Sequence, residues 1–361
     1  MNIVVVGGGV IGSSIAYHLQ RAGAAVTLVE RGEIGGEASS AAAGMLIAPV
    51  EDAGNRSFDD LRRASLMMYP VLLDEVQRLS RVHVEYKVPG MLRTARTETM
   101  ARQLKRLAEN HNLEWVEGGA LRALEPALGR DLLGAAFAAK DADLNPGLLT
   151  LALARSAEKL GAKVRKRTIL TGFLSRGTRI EGVRTNREDI RNIDAIVLAA
   201  GPWTASLSMR LGARLATPPM RGQMLAYKSK AIRHAIWGED GYLIPKPRGQ
   251  IFVGATIEDV GFRKTTTVRA LAGLRRMAAT LVPTLADATV ASAWAGLRPG
   301  SPDGLPVIGR LPGKDNVYVA TGHFRNGVLL APITGRLVAE LVLSGRADKR
   351  LKPFSPDRLL S

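Results

Sequence analysis

The apolar positions of this chain show two rhythms. Continuous β-branched runs stop at glycine, and longer runs repeat every three or four residues. Residues 2–9, NIVVVGGG, are of the first kind and predict a strand buried on both faces, as in a parallel sheet. From Ser13 to Arg21 the rhythm becomes helical, with Ile15, Ala16 and Leu19 on one face, and Gly23 ends it. AAVTLVE then predicts a second strand finishing at Glu30. The continuous pattern returns at DAIVLAA (194–200), which enters Gly201-Pro202-Trp203, and at Val317 to Ala320. The latter leads through HFRNGVLLAP (323–332) to TGRLVAELVLSG, read as an amphipathic helix starting near Pro332. YLIPKPRGQIFVGAT (242–256) predicts a hairpin with Pro245, Pro247 and Gly249 at its turn, and 268–281 a helix. No repeat of solenoid length occurs, and no run reads as long and apolar enough to span a bilayer.

The first strand opens directly into Gly7-x-Gly9-x-x-Gly12. A lone motif of this kind is weak, but here it sits at a strand-to-helix turn within a compact βαβ unit. Gly7 permits the tight turn, Gly9 lets the backbone approach a pyrophosphate, and Gly12 lets helix and strand pack closely. Val10 and Ile11 open the helix whose free N–H groups face phosphate oxygens. Glu30, with Arg31 after it, lies at nearly the spacing expected of an acid that binds ribose hydroxyls. An ordinary α/β core with a glycine-rich turn is the competing reading.

The segment after Glu30 selects among dinucleotides. Small residues dominate Ala38 to Gly44, so this stretch can run closely along an extended cofactor. Ser39 and Ser40 offer hydroxyls to phosphates, and Ala43, Gly44 and Met45 can lie against a ring. An NAD fold needs no such stretch, so FAD is favoured. The strand ends at Ala200-Gly201-Trp203 and at His323 to Leu329 can converge on the same cofactor, although each alone is an ordinary βα connection. Arg325 is placed between apolar segments, where an unpaired guanidinium is costly, so it is expected to face an anion.

Composition bounds the rest. The 361 residues suffice for two domains or one large one, and 46% hydrophobic content supports a large core. The 38 glycines are dispersed, which suits many tight βα turns. A net charge of +17 and a pI near 10.5 would suit nucleic acid or anionic membrane. The basic residues are dispersed, however, and only 5% of residues are aromatic, so an arginine-rich solvated surface is the simpler reading. The absence of cysteine excludes disulfides, thiolate metal sites and a cysteinyl flavin link. The N-terminal apolar run lacks a basic leader and is broken by Gly7-Gly8-Gly9, so a cytoplasmic protein is expected.

Taken together, VVVGGGVIGSSIAYHL, EASSAAAGM, LAAGPW, WAGLRPGSPDGLPVIG and GHFRNGVLLAPITG resemble the D-amino-acid-oxidase-like FAD amine oxidases, and within them the glycine-oxidising, thiamine-biosynthesis type. The resemblance implies an α/β Rossmann-type FAD-binding domain with a parallel sheet, from 1–81, 141–212 and 298–361. It also implies a smaller α+β substrate domain with a mixed, largely antiparallel sheet, from 82–140 and 213–297. It assigns Arg298 to the substrate carboxylate, Tyr242 to the same carboxylate, and Arg325 to the site rim. Alternatives are a buried ion pair for each Arg and a half-buried strand aromatic for Tyr242. To non-covalent FAD it assigns Leu170, Arg298, His323, Arg325, Asn326, Gly327, Val328 and Leu329 beside the residues above. His323 is expected to make backbone contact or pack rather than act as a base. Met45 and Met91 are candidates to face the ring or pocket, with core packing the alternative. The helix near Pro332 is expected to aim its N-terminus at the flavin.

The implied reaction is oxidative deamination of a small amino acid with molecular oxygen, releasing an oxoacid, ammonia and hydrogen peroxide, with no metal. The resemblance also implies a homo-oligomer, a tetramer, and the dispersed charge and lack of a long apolar run lead to an expectation of neither nucleic acid nor stable membrane insertion. Departures from the type bear on substrate choice: Asp240 stands where relatives carry His, and Ile47 and Ile257 stand near the pocket. Two rival readings are an FAD amine dehydrogenase feeding a membrane acceptor and a non-catalytic nucleotide- or RNA-binding module.

Overall fold

The computed structural model describes residues 1–47 and 55–359. Its first sheet has six strands in the order Val307–Arg310, Val317–Thr321, Ala195–Leu198, Asn2–Val6, Ala25–Val29, Lys163–Arg165. All pairs are parallel except the first, which is antiparallel. Val4, Val5, Ile196, Val197 and Val319 are buried, which is why these strands read as continuous apolar runs.

One face of this sheet carries the helices Val10–Arg21, Arg56–Ser80, Pro146–Lys159 and Gly327–Ser344. The other packs on a three-stranded antiparallel sheet, Leu170–Arg176, Arg179–Thr185 and Ile190–Arg191. A nine-stranded mixed sheet forms the second body of structure. It includes Pro219–Lys228, the hairpin Gly241–Lys246 and Gln250–Gly254, and Ala235–Gly238, which runs parallel to Met91–Ala95. Val290–Pro299 pairs with Pro219–Lys228, placing Arg298 opposite Met220. A helix Val268–Leu281 covers this sheet.

Several expectations change. The last helix begins at Gly327, not near Pro332, which lies inside it. Proline cannot donate to the carbonyl four residues back. That carbonyl, of Val328, instead accepts from the Tyr69 hydroxyl, while Ser14 donates to Ala331 O and Ile333 N–H donates to Ser65. The kink-prone position is thus satisfied from outside. Its first half is buried all round, from Val328 to Gly335, and only the second half is amphipathic as read, with Arg336, Glu340 and Ser344 facing out at helical spacing. Phe324–Ser344 is in fact long and apolar enough to cross a membrane by length and composition, but 72% of that window is buried within the fold. It is apolar because other helices surround it. In the hairpin, Pro245 pairs with Ile251 inside the ladder, and Arg248 and Gly249 make the turn with positive φ.

Candidate active site

A cavity of about 1130 Å³ opens at the carboxyl ends of the parallel strands and extends under the nine-stranded sheet. It exceeds the ~300–1,000 Å³ of sites for drug-sized ligands, as an extended dinucleotide with a substrate beyond it requires.

Backbone builds one end. Gly7 has φ +111°, and a Cβ there would lie 2.4 Å from Ala199 O. A Cβ on Gly12 would lie 1.8 Å from Gly7 O, so the helix crosses the turn at a distance only glycine allows. Gly7, Gly9, Val10 and Ile11 line the cavity, whereas Gly12 lies behind it as a packing residue. The Ser39 hydroxyl accepts from Val10 N–H at 2.9 Å and keeps its own hydrogen to donate into the cavity. Glu30 accepts from Gly8 N–H and Gly32 N–H, both at 2.7 Å, which fixes its carboxylate at the end of its strand with lone pairs to spare for hydroxyls. Arg31 stacks 3.6 Å above the Trp203 ring and pairs with Glu37 at 2.7 Å. Leu170, Ala200, Gly201, Ala43, Gly44 and Met45 complete this wall. A glycine cradle at a helix N-terminus, an anchored acid and a free hydroxyl fit a dinucleotide.

Side chains build the other end. Tyr242, only 8% exposed, and Arg298 meet there with Arg325. The Arg298 guanidinium lies across Gly222, where a Cβ would be 2.1 Å from its Nη1, and Nη1 donates to Thr256 O at 3.0 Å. Burial lowers its pKa, Tyr242 opposing and Arg325 reinforcing the effect, yet a guanidinium stays charged. Burial raises the Tyr242 phenol, and the Arg298 and Arg325 charges oppose this. Neither Arg298 nor Arg325 has a carboxylate partner among the described residues. The two guanidinium charges are therefore open to an anionic ligand.

Arg325 lies at the rim of the cavity, and only the expectation of a buried cation in need of a partner fails. It is exposed, not buried, with its guanidinium 5.3 Å from the centre of the Trp237 ring. No desolvation cost forces a protein partner on it. His323 is buried, with Nε2 3.2 Å from Thr334 Oγ1 and no partner for Nδ1 among the described residues. Burial holds its pKa down at about 3, so it is neutral. His323, Asn326, Gly327, Val328 and Leu329 line the cavity, bringing a helix N-terminus to its wall.

Two expected residues fall elsewhere. Ser40 is exposed and its hydroxyl faces Glu37 O, so it does not line the cavity. Met91 is buried within its strand and also lies outside the lining. Asp240, Ile47 and Ile257 do line it. Arg62, Arg93, Met224 and Trp237 line it as well and escaped the sequence reading. Arg93 had a signal, a charge within the apolar strand MLRTA, and it pairs with buried Asp141 at 3.3 Å. Trp237 had none, because a strand aromatic looks the same beside a cavity or in a core. No cluster of metal-ligating residues occurs among the described residues.

The family model described as FAD dependent oxidoreductase matches residues 2–341. A glycine oxidase of Pseudomonas aeruginosa is 39% identical over 95% of this chain and 95% of its own length. One from Bacillus licheniformis is 34% identical, covering 94% and 92%. The crystal structure of glycine oxidase from Geobacillus kaustophilus superposes with a TM-score of 0.91 at 31% identity, covering 98% of this chain and 97% of that one.

Proposed function

This chain belongs to the family of FAD dependent oxidoreductases, and on that premise we propose that it oxidises glycine and related small amines to the imino acid. The observation that carries the reading is the Arg298–Tyr242 pair, a fixed cation beside a buried hydroxyl, with no carboxylate paired to that cation among the described residues.

FAD would be held by Gly7, Gly9, Glu30, Ser39 and the helix N-terminus at Gly327, Val328 and Leu329. When bound it supplies the hydride acceptor and the route of electrons to oxygen. The protein's own share is positioning and electrostatics. Arg298 takes the substrate carboxylate through paired N–H donors, and Tyr242 adds a hydroxyl to it. Two anchors on one carboxylate leave the α-carbon little freedom. His323, buried and held neutral, is too weak a base to take up a proton at neutral pH and serves as packing. Arg325 stands at the exposed rim, where it attracts anionic substrate. Ile47 and Ile257 narrow the site toward small substrates, and Asp240 favours the amine end.

The same proposal covers release of oxoacid, ammonia and hydrogen peroxide, and a place in making the thiazole of thiamine. It also takes residues 1–81, 141–212 and 298–361 as the FAD-binding domain and 82–140 and 213–297 as the substrate domain. The last boundary falls inside strand Val290–Pro299, so Arg298 sits at the junction. A homo-oligomer and an intracellular setting are part of this reading.

The test is anaerobic mixing of the yellow holoprotein with glycine, sarcosine, D-alanine and D-proline in turn. Bleaching of the flavin band near ~450 nm by glycine or sarcosine, with peroxide on admitting air, is expected. A flavin untouched by all four would sink the substrate assignment. Bleaching and then slow reoxidation in air would favour a dehydrogenase.

A further inference from the structure

Behind Arg298 lies a polar network that the reaction does not itself require. Gln223, 0% exposed, stands on strand Pro219–Lys228. Its amide donates to Glu258 Oε1 at 2.7 Å and accepts from Thr267 N–H at 2.6 Å. Its backbone N–H donates to Thr256 Oγ1 at 2.9 Å. The Thr256 hydroxyl in turn donates to Glu258 Oε1 at 2.5 Å, and buried Arg221 pairs with Glu258 Oε2. Burial pushes the Glu258 carboxyl up, but hydrogen bonds from Thr256, Arg221 and Gln223 outweigh it and hold it ionised.

These bonds fix both feet of the segment 256–267, and the first foot is Thr256, whose carbonyl accepts from Arg298 Nη1. Arg298 has no carboxylate partner among the described residues, so this carbonyl, the Gly222 backbone beneath it and the Tyr242 hydroxyl set where the guanidinium points, and of these the carbonyl is the one the network holds. A bidentate pair with a carboxylate depends steeply on that direction.

We propose that Thr256, Glu258 and Gln223 are positioning residues for the substrate-binding guanidinium of Arg298. The inference rests on the reading of Arg298 as the carboxylate site. The network touches neither cofactor cradle nor reacting atoms. Its loss therefore weakens carboxylate binding and leaves the chemical step nearly unchanged.

The experiment uses holoprotein and acetate, a carboxylate with no oxidisable amine, titrated against the flavin absorption band, alongside steady-state glycine kinetics. Thr256→Val removes the hydroxyl with little change of volume, and Thr256→Ser keeps it. Thr256→Val is expected to raise the acetate Kd and the glycine KM about tenfold, with kcat within about threefold, and Thr256→Ser to stay near the parent. In an Arg298→Ala background Thr256→Val should have no further effect on acetate binding. Should Thr256→Val not fold, Glu258→Gln enters the same cycle, with an expected change of about threefold. An unchanged acetate Kd, or an equal effect with and without Arg298, overturns the inference. If the parent protein oxidises glycine while the variants behave alike, the positioning role alone falls. If the parent neither binds acetate nor oxidises glycine, the carboxylate site falls and takes the positioning role with it.

Discussion

The two ends of the cavity are made of different material. At the dinucleotide end the protein offers backbone: amides at two helix starts, a glycine turn and one anchored acid. At the substrate end it offers side chains, Tyr242, Arg298 and Arg325, drawn from strands and turns far apart in sequence. The first end is rigid because no atom can be added to it. The second is rigid only while a second set of residues holds the first in place, as Thr256 and Gly222 do for Arg298.

The largest effects should come from breaking the backbone end. Gly12→Ala puts a Cβ 1.8 Å from a backbone oxygen that cannot move aside. We expect protein without bound flavin, or none folded, read as the ratio of flavin to protein absorbance. A yellow, stable Gly12→Ala protein would show that the turn is softer than its geometry states.

Next comes the substrate end. Arg298→Ala should raise the glycine KM by roughly 10²–10³-fold, the scale of a lost bidentate ion pair, while the protein stays yellow. Loss of flavin in this variant would mean the two ends are not separable. Arg325→Ala should cost less, about three- to tenfold in kcat/KM, because its guanidinium is exposed and lies over the Trp237 ring. A larger loss would move Arg325 from the rim into direct contact with substrate.

The smallest effect concerns His323. Burial keeps it near a pKa of about 3, so His323→Gln should leave the pH dependence of kcat/KM unchanged between about pH 6 and 8. Its mark should appear in stability instead. His323 and His18, the latter held at about 4 by burial and by the Arg21 and Arg336 charges, are neutral in the fold, whereas the unfolded chain protonates near 6.5. Stability from this source is complete above about pH 6.5. It falls as the pH drops toward 4 and then 3, by up to about 1.4 kcal/mol per pH unit for each histidine. Melting temperatures of the parent and of His18→Gln and His323→Gln across pH 4–7 check the sign.

The reach of the sequence alone has the same division. It determined the strand, glycine turn and helix at one end of the cavity, because a unit of that fixed spacing is a local demand of backbone sterics, written in consecutive residues. Gly7, Gly9, Val10, Ile11 and Ser39 line the cavity, and the buried strands were readable from their unbroken apolar runs. It misplaced the start of the last helix, because Pro332 looks like a helix start when seen alone. Only the fold shows that Tyr69, Ser14 and Ser65 satisfy the groups around it. It left Ser40 at the cavity, because two adjacent serines are equivalent until the helix turn points one outward. The surroundings of Arg298 belong wholly to tertiary structure. Strand pairing sets Met220 opposite Arg298 and Gly222 beneath its guanidinium, and the segment 256–267 that leaves the hairpin brings Thr256 to its side. A sequence records which side chains exist, but the direction in which a guanidinium points is fixed by neighbours that chain order does not reveal.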